Sequence, residues 1–161
     1  MRLKQLTLAA MFAALCAIGG LLKIPLGIGS TALDSTPALV ASAFLPPIYA
    51  GMTALIGHSA SALYAGFPLG PFHLLIALEM LAIIYVFARL HQAKYQVSKW
   101  VFFIVANGLL APLPFYFLIS PSFYVGIVPG ILIATIFNAV IAAVVLPVVQ
   151  NVWRERLGVL R

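Results

Sequence analysis

Three carboxylates and nine Lys or Arg are the only charged side chains in 161 residues, and 64% of the chain is apolar. A soluble domain of this size has to cover its surface with far more charge, so the apolar residues must face lipid or one another. The chain is therefore expected to be an all-α integral membrane protein. At roughly 20 residues per hydrocarbon crossing there is room for about six helices and for no extramembrane catalytic or nucleotide-binding domain. The formal charge of +6 does not point to nucleic acid, because the basic residues stand at segment ends instead of in a cluster. Cys16 is the lone cysteine, which leaves no disulfide framework and no cysteine metal site.

The opening "MRLKQLTLAAMFAALCAIGG" imitates a secretory signal, but its apolar run continues to Leu22 and it reads as a first retained helix. Helices are expected at about 3–22, 36–46, 47–66, 70–90, 97–119 and 126–152. The second opens on "DSTP", where Ser35 or Thr36 can cap and Pro37 takes the first turn. Pro46-Pro47 ends it and starts the third. Between the first two helices, "KIPLGIGSTALD" is a lid or a connector.

Basic residues orient the bundle. Arg2 and Lys4, then Arg89, Lys94 and Lys99, then Arg154, Arg156 and Arg161 all fall on one side of six crossings, with Lys23 the exception. That side is the cytoplasm by the positive-inside rule, which puts both termini there and makes 1–161 one six-helix transmembrane domain.

Two constellations stand out. Ala9, Ala13 and Ala17 form a small-residue row on one face of the first helix, with Ala10 and Ala14 beside it. Membrane helices associate through close packing of small residues, so these rows serve either internal packing or a separate membrane partner. The second constellation is polar. Asp34, Ser35 and Thr36 stand at the outer mouth, with His58, Ser59, Ser61, Phe72 and His73 in the outer halves of helices three and four. Glu79 lies near mid-helix, and Asn107 and Asn138 are at comparable depth, with Phe115, Tyr116, Phe123 and Tyr124 outside them. These residues can line one cavity that opens away from the cytoplasm. A carboxylate at mid-membrane costs about 2.5–3.5 kcal/mol, which marks a functional site or a buried partner. The duller readings stay open: interhelical bonds for the asparagines, a protonated and bonded Glu79, a core His58, serines bonded back to their helix, and an interfacial aromatic belt.

An intramembrane hydrolase fits poorly, because His58 and Ser59 are neighbours that point about 100° apart on a helix. Zinc chemistry has no HExxH here, and the three histidines lie at different depths. A self-contained carrier or channel remains an alternative, although no paired half repeat is visible.

"LTLAAMFAALCAIGG", the Gly/Pro-rich loop after it, "LPPIYAGMTALIGH" and the basic tail together resemble the substrate-binding S components of energy-coupling factor (ECF) vitamin transporters, over essentially the whole chain. The resemblance implies a non-enzymatic subunit of the bacterial cytoplasmic membrane that binds one vitamin or precursor from outside and topples to release it. It also implies that Ala9, Ala10, Ala13, Ala14 and Ala17 dock on a transmembrane T subunit coupled to two ABC ATPases. Those partners use ATP, and this chain needs no cofactor or metal. "LDSTPAL", "GHSASALYAGFPLGPFH" and "NGLLAPLPFYFLISP" are most similar to the α-ribazole transporters of cobalamin salvage. In that reading Phe67, Phe72, Phe115 and Tyr116 wall a flat base, and Glu79, Asn107 and Asn138 meet ribose hydroxyls. His58 or His73 meets a ring nitrogen, and Asp34 and Ser61 complete the site at the mouth. S components for other vitamins are the alternative within the family.

Overall fold

A computed structural model describes residues 3–25 and 30–157, with side chains over 3–22 and 32–155. Arg2, Arg161 and the centre of the first outer loop lie outside the described residues, as do the side chains of Lys23 and Arg156. The helices run α1 Leu3–Gly19, α2 Ser35–Ala41, α3 Pro47–Tyr64 and α4 Phe72–Gln92. Then follow α5 Ser98–Val105, a π turn at Ala106–Leu110, α6 Pro114–Leu118 and α7 Pro121–Leu157. Among the described residues three helical stretches are long and apolar enough to cross a membrane: Phe72–Gln92, Ser98–Leu118 and Pro121–Glu155. The chain is a multi-pass membrane protein.

Most expected helices appear, with differences that have local causes. α1 stops at Gly19, and the chain after it forms an antiparallel hairpin of β1, Lys23–Pro25, and β2, Ser30–Ala32, in place of a plain connector. α2 has only seven residues, a rise of about 10 Å. Pro47 opens α3 at a first-turn position, where its missing N–H costs nothing. α7 begins at Pro121, five residues before the expected start, because Ser120 Oγ accepts the Phe123 N–H at 3.1 Å and caps it. Pro129 and Pro147 both lie inside this 37-residue helix.

The core is built on α3. Its buried residues Ala50, Thr53, Ala54, Gly57 and Ser61 follow helical spacing along one side. Small residues let backbones approach, which is how helices gain packing energy when lipid is as apolar as their side chains. A side chain at Gly57 would fall on Cys16 of α1, and one at Gly51 would meet the Leu81 carbonyl of α4 at 2.7 Å. Leu39, Ile84, Phe87 and Phe103 fill the space around this spine.

At the opposite end from the hairpin, Lys99 is 2% exposed although no carboxylate among the described residues pairs with it. Its ammonium is held by His91 Nδ1 and Gln96 Oε1, each at 2.8 Å. The Trp100 and Phe87 rings stand at 5.2 and 5.9 Å from it. Neutral acceptors and aromatic faces thus supply what water would, and they join the last turn of α4 to the first turn of α5.

Gly57→Ala should cost about 1–3 kcal/mol, because the new methyl overpacks the α1–α3 crossing. Thermal unfolding in detergent reads this, and Cys16→Gly in the same chain should recover part of the loss. An unchanged unfolding temperature for the single variant would contradict so close a crossing.

Candidate functional site

A cavity of about 550 Å³ opens between the hairpin end of the bundle and the middle of α4 and α7. That volume lies in the range of small-molecule sites. Asp34, His58, Ser61, His73, Glu79, Asn107, Phe115 and Asn138 all line it. Residues separated by about a hundred positions meet there because the small-residue spine draws α3 against α4 and α1, while α7 closes the other side.

At the mouth, ring nitrogens join into one row. Leu69 N–H donates to His73 Nε2 at 3.4 Å, His73 Nδ1 meets His58 Nε2 at 3.4 Å, and His58 Nδ1 meets Asp34 Oδ2 at 3.3 Å. A backbone amide can only donate, so the direction of the row is set from that end. His73 Nε2 is the acceptor and its proton sits on Nδ1; His58 then accepts at Nε2 and donates from Nδ1 to the carboxylate. Ser35 Oγ donates to the other oxygen, Asp34 Oδ1, at 3.1 Å. Asp34 is therefore held from two sides just before α2.

Asn138 shows complete use of an amide. Its Oδ1 accepts from Thr36 N–H and Thr36 Oγ1, both at 2.8 Å, while Nδ2 donates to Ala32 O at 3.1 Å and Ala134 O at 3.0 Å. It caps α2 from across the bundle, a task the Asp34 side chain does not perform, and it pins β2 to α7. Every hydrogen-bonding position of this amide is spent on protein.

Glu79 is the opposite case. Its Oε2 is buried and has no hydrogen-bonding partner among the described residues. Asn107 lies between: Nδ2 donates to Thr135 Oγ1 at 2.7 Å, and Thr135 in turn donates to Ile131 O at 2.8 Å. Asn107 stands in the π turn, closed by Ala111 N–H to Ala106 O at 2.8 Å, and such turns inside helices recur at functional sites.

The aromatic residues divide into two layers. Phe115 and Phe123 line the cavity. Phe72 lies behind Phe115, with ring centres 5.6 Å apart, and Tyr116 turns away to Tyr124 at 5.9 Å. Phe67 packs edge-on against His73 at 5.7 Å from a turn where its own φ is 50°, a strained geometry for a bulky residue. The structure thus places Phe67, Phe72 and Tyr116 outside the lining. Ser59 donates back to Leu55 O at 2.8 Å and also stands apart from the cavity. Sequence reasoning missed Thr135 and Met80, which line it. The spacing Ile127, Ile131, Ala134, Thr135, Asn138 puts one continuous α7 face toward the cavity, and that periodicity was available to find Thr135. Among the described residues no cluster of three or more His, Cys, Asp or Glu could hold a metal ion.

On α1, Ala13 is buried, Ala9 and Ala17 are half-buried, and Ala10 and Ala14 are exposed beside Met11, Leu15 and Ile18.

Residues 4–151 match the family model described as ECF transporter, substrate-specific component. No curated protein and no solved structure matches the chain.

Asn138→Ala should strip the Thr36 amide and the Ala32 and Ala134 carbonyls of their partner, at about 1–3 kcal/mol for a buried group left unpaired. Amide hydrogen exchange across 30–37 should speed up. Asn138→Asp keeps the two acceptor contacts and should protect Thr36 better than alanine does. Equal exchange in all three proteins would refute the pinning role.

Proposed function

Because the chain belongs to the substrate-specific components of ECF transporters, we propose that its cavity captures a vitamin precursor from outside the cell, and that this precursor is α-ribazole for cobalamin salvage. Membership implies work alongside transmembrane and ATPase partner subunits. The observation that carries the reading is Glu79: a buried carboxyl oxygen without a partner among the described residues, facing a cavity of about 550 Å³. In a membrane interior such a group is retained when something else answers it. A ribose hydroxyl does so, with Asn107 at comparable depth to take a second. Phe115 and Phe123 supply the apolar wall for a flat base, which stacks on aromatic rings. Ser61 and Asp34 stand nearer the mouth.

In this reading His58 and His73 position Asp34, Asn138 fastens the hairpin over the opening, and Phe67, Phe72 and Tyr116 support the lining from behind. In this reading 1–161 is one transmembrane domain of six segments, the second of them the short α2 with the turns that follow it, and both termini lie in the cytoplasm of a bacterial cell. α1 docks on the T subunit that is coupled to two ABC ATPases. Ala10 and Ala14 form the outward part of the docking surface, and Ala9, Ala13 and Ala17 let α1 lie close to α3. ATP is used by the partners, and no cofactor resides in this chain.

Glu79→Gln should weaken α-ribazole binding about tenfold or more, equal to about 1.4 kcal/mol, while the protein stays folded and assembled. Isothermal titration reads it, and unchanged affinity would remove Glu79 from the contacts. Ala14→Trp should leave that affinity intact and abolish co-purification with the coupling subunits, so retained assembly would reject the docking face.

A further inference from the structure

A serine or threonine inside a helix commonly gives its hydroxyl hydrogen to the carbonyl one turn back. Thr7, Thr53, Ser59 and Thr135 all do so, donating to Leu3 O at 3.1 Å and to Tyr49 O, Leu55 O and Ile131 O at 2.8 Å each. Among the described residues Ser61 is the remaining serine or threonine beyond the first turn of a helix, and its hydroxyl makes neither this bond nor any other. Ser61 is nevertheless only 7% exposed, and it lines the cavity. The one buried side-chain polar atom without a partner among the described residues is Glu79 Oε2, so Ser61 Oγ is open to the cavity and not sealed in its wall.

The chain at the end of α1 confines this hydroxyl. A Cβ built on Gly20 would stand 2.5 Å from both the Cβ and the Oγ of Ser61, so bare main chain lies directly against the serine. One turn earlier on α3, Gly57 meets Cys16 in the same close manner. A methyl at position 20 has no room unless Ser61 moves.

A flat base whose ring carries an acceptor nitrogen brings into the cavity a lone pair that needs a donor. The histidines do not supply one, because His73 Nδ1 donates to His58 and His58 Nδ1 donates to Asp34. Ser61 stands one turn beyond His58 on the cavity side of α3. A base that displaces water from this wall has to answer the serine hydroxyl or leave it unpaired.

We infer that Ser61 is the residue that recognises the acceptor nitrogen of the solute's base, donating its hydroxyl to it, and that Gly20 is the positioning residue that aims it. The inference rests on the reading of this cavity as the α-ribazole site, and it adds the polar contact that selects the base. A base with carbon in place of that nitrogen leaves the hydroxyl without a partner and is rejected for that reason.

The test uses the purified, detergent-solubilised chain and two probes: α-ribazole, and the same riboside with the unsubstituted ring nitrogen replaced by C–H. Isothermal titration should show α-ribazole binding roughly tenfold or more tightly than the carbon analogue. Ser61→Ala should remove that preference by weakening α-ribazole while leaving the analogue as it was. Gly20→Ala should shrink the same ratio, and should add nothing to the change in ratio when Ser61 is already alanine. A general loss of fold would weaken both probes alike. Equal weakening of both by Ser61→Ala therefore makes the serine structural and overturns the donor role. A preference that survives Ser61→Ala overturns it too, since the nitrogen is then met by another donor such as the remaining N–H of Asn107, and so does the absence of any preference in the unaltered chain. These three results leave the uptake role standing. Equal weakening by Gly20→Ala overturns the positioning role of Gly20 alone. No binding of α-ribazole to the unaltered chain overturns both the proposed substrate and this contact.

Discussion

Hydrocarbon offers no hydrogen bonds, so each amide, hydroxyl and carboxyl in this bundle has to be answered by protein or by cargo. Asn138 is answered four times over, which is why one side chain can hold a strand, the start of a short helix and the long last helix together. Asn107 Nδ2 donates to Thr135 Oγ1, which passes its own hydrogen to Ile131 O. Among the described residues Glu79 Oε2 is the one buried side-chain polar atom left out, and its isolation stands against the paired Asn138 and Thr135. The same requirement shapes the far end, where Lys99 finds neutral acceptors and ring faces in place of a counter-ion.

Satisfying those bonds depends on close backbones. α3 carries alanine and glycine where other helices carry bulk, so Cys16 of α1 sits against Gly57 and the Leu81 carbonyl against Gly51. One turn further along, a side chain at Gly20 would meet Ser61, which lines the cavity, and one at Gly19 would strike the backbone of Leu33, next to Asp34. The helix whose other face shows Ala10 and Ala14 is thus in direct contact with both the wall and the mouth. A shift of α1 cannot leave the cavity's shape untouched, since packed interfaces have little room to give.

Sequence alone disclosed the membrane class, the helix order and most of the polar lining, because charge scarcity and isolated polar residues are strong signals in an apolar chain. Burial direction was harder. Phe115 and Tyr116 are adjacent and chemically alike, yet one lines the cavity and the other turns to Tyr124, a difference set by the short α6 after the π turn. The π turn itself has no reliable residue signature. Asn138 looked like a ligand contact by type and depth, but only the fold brings Thr36 and Ala32 to it across a hundred positions. The start of α7 was missed although Ser120-Pro121 spells a cap and a first-turn proline, because the uncharged run "ISPSFYVG" reads as an outer connection.

The histidine row also bears on energy. Two imidazoles ending on a carboxylate look like the beginning of a proton path, the device by which many self-contained carriers draw on an ion gradient. This row begins at a main-chain amide, which cannot surrender its hydrogen to the next member and be recharged from behind. The imidazoles serve as ties: His73 of α4 and His58 of α3 fasten the turn at Leu69 to the residue that precedes α2, so the outer ends of these segments shift together.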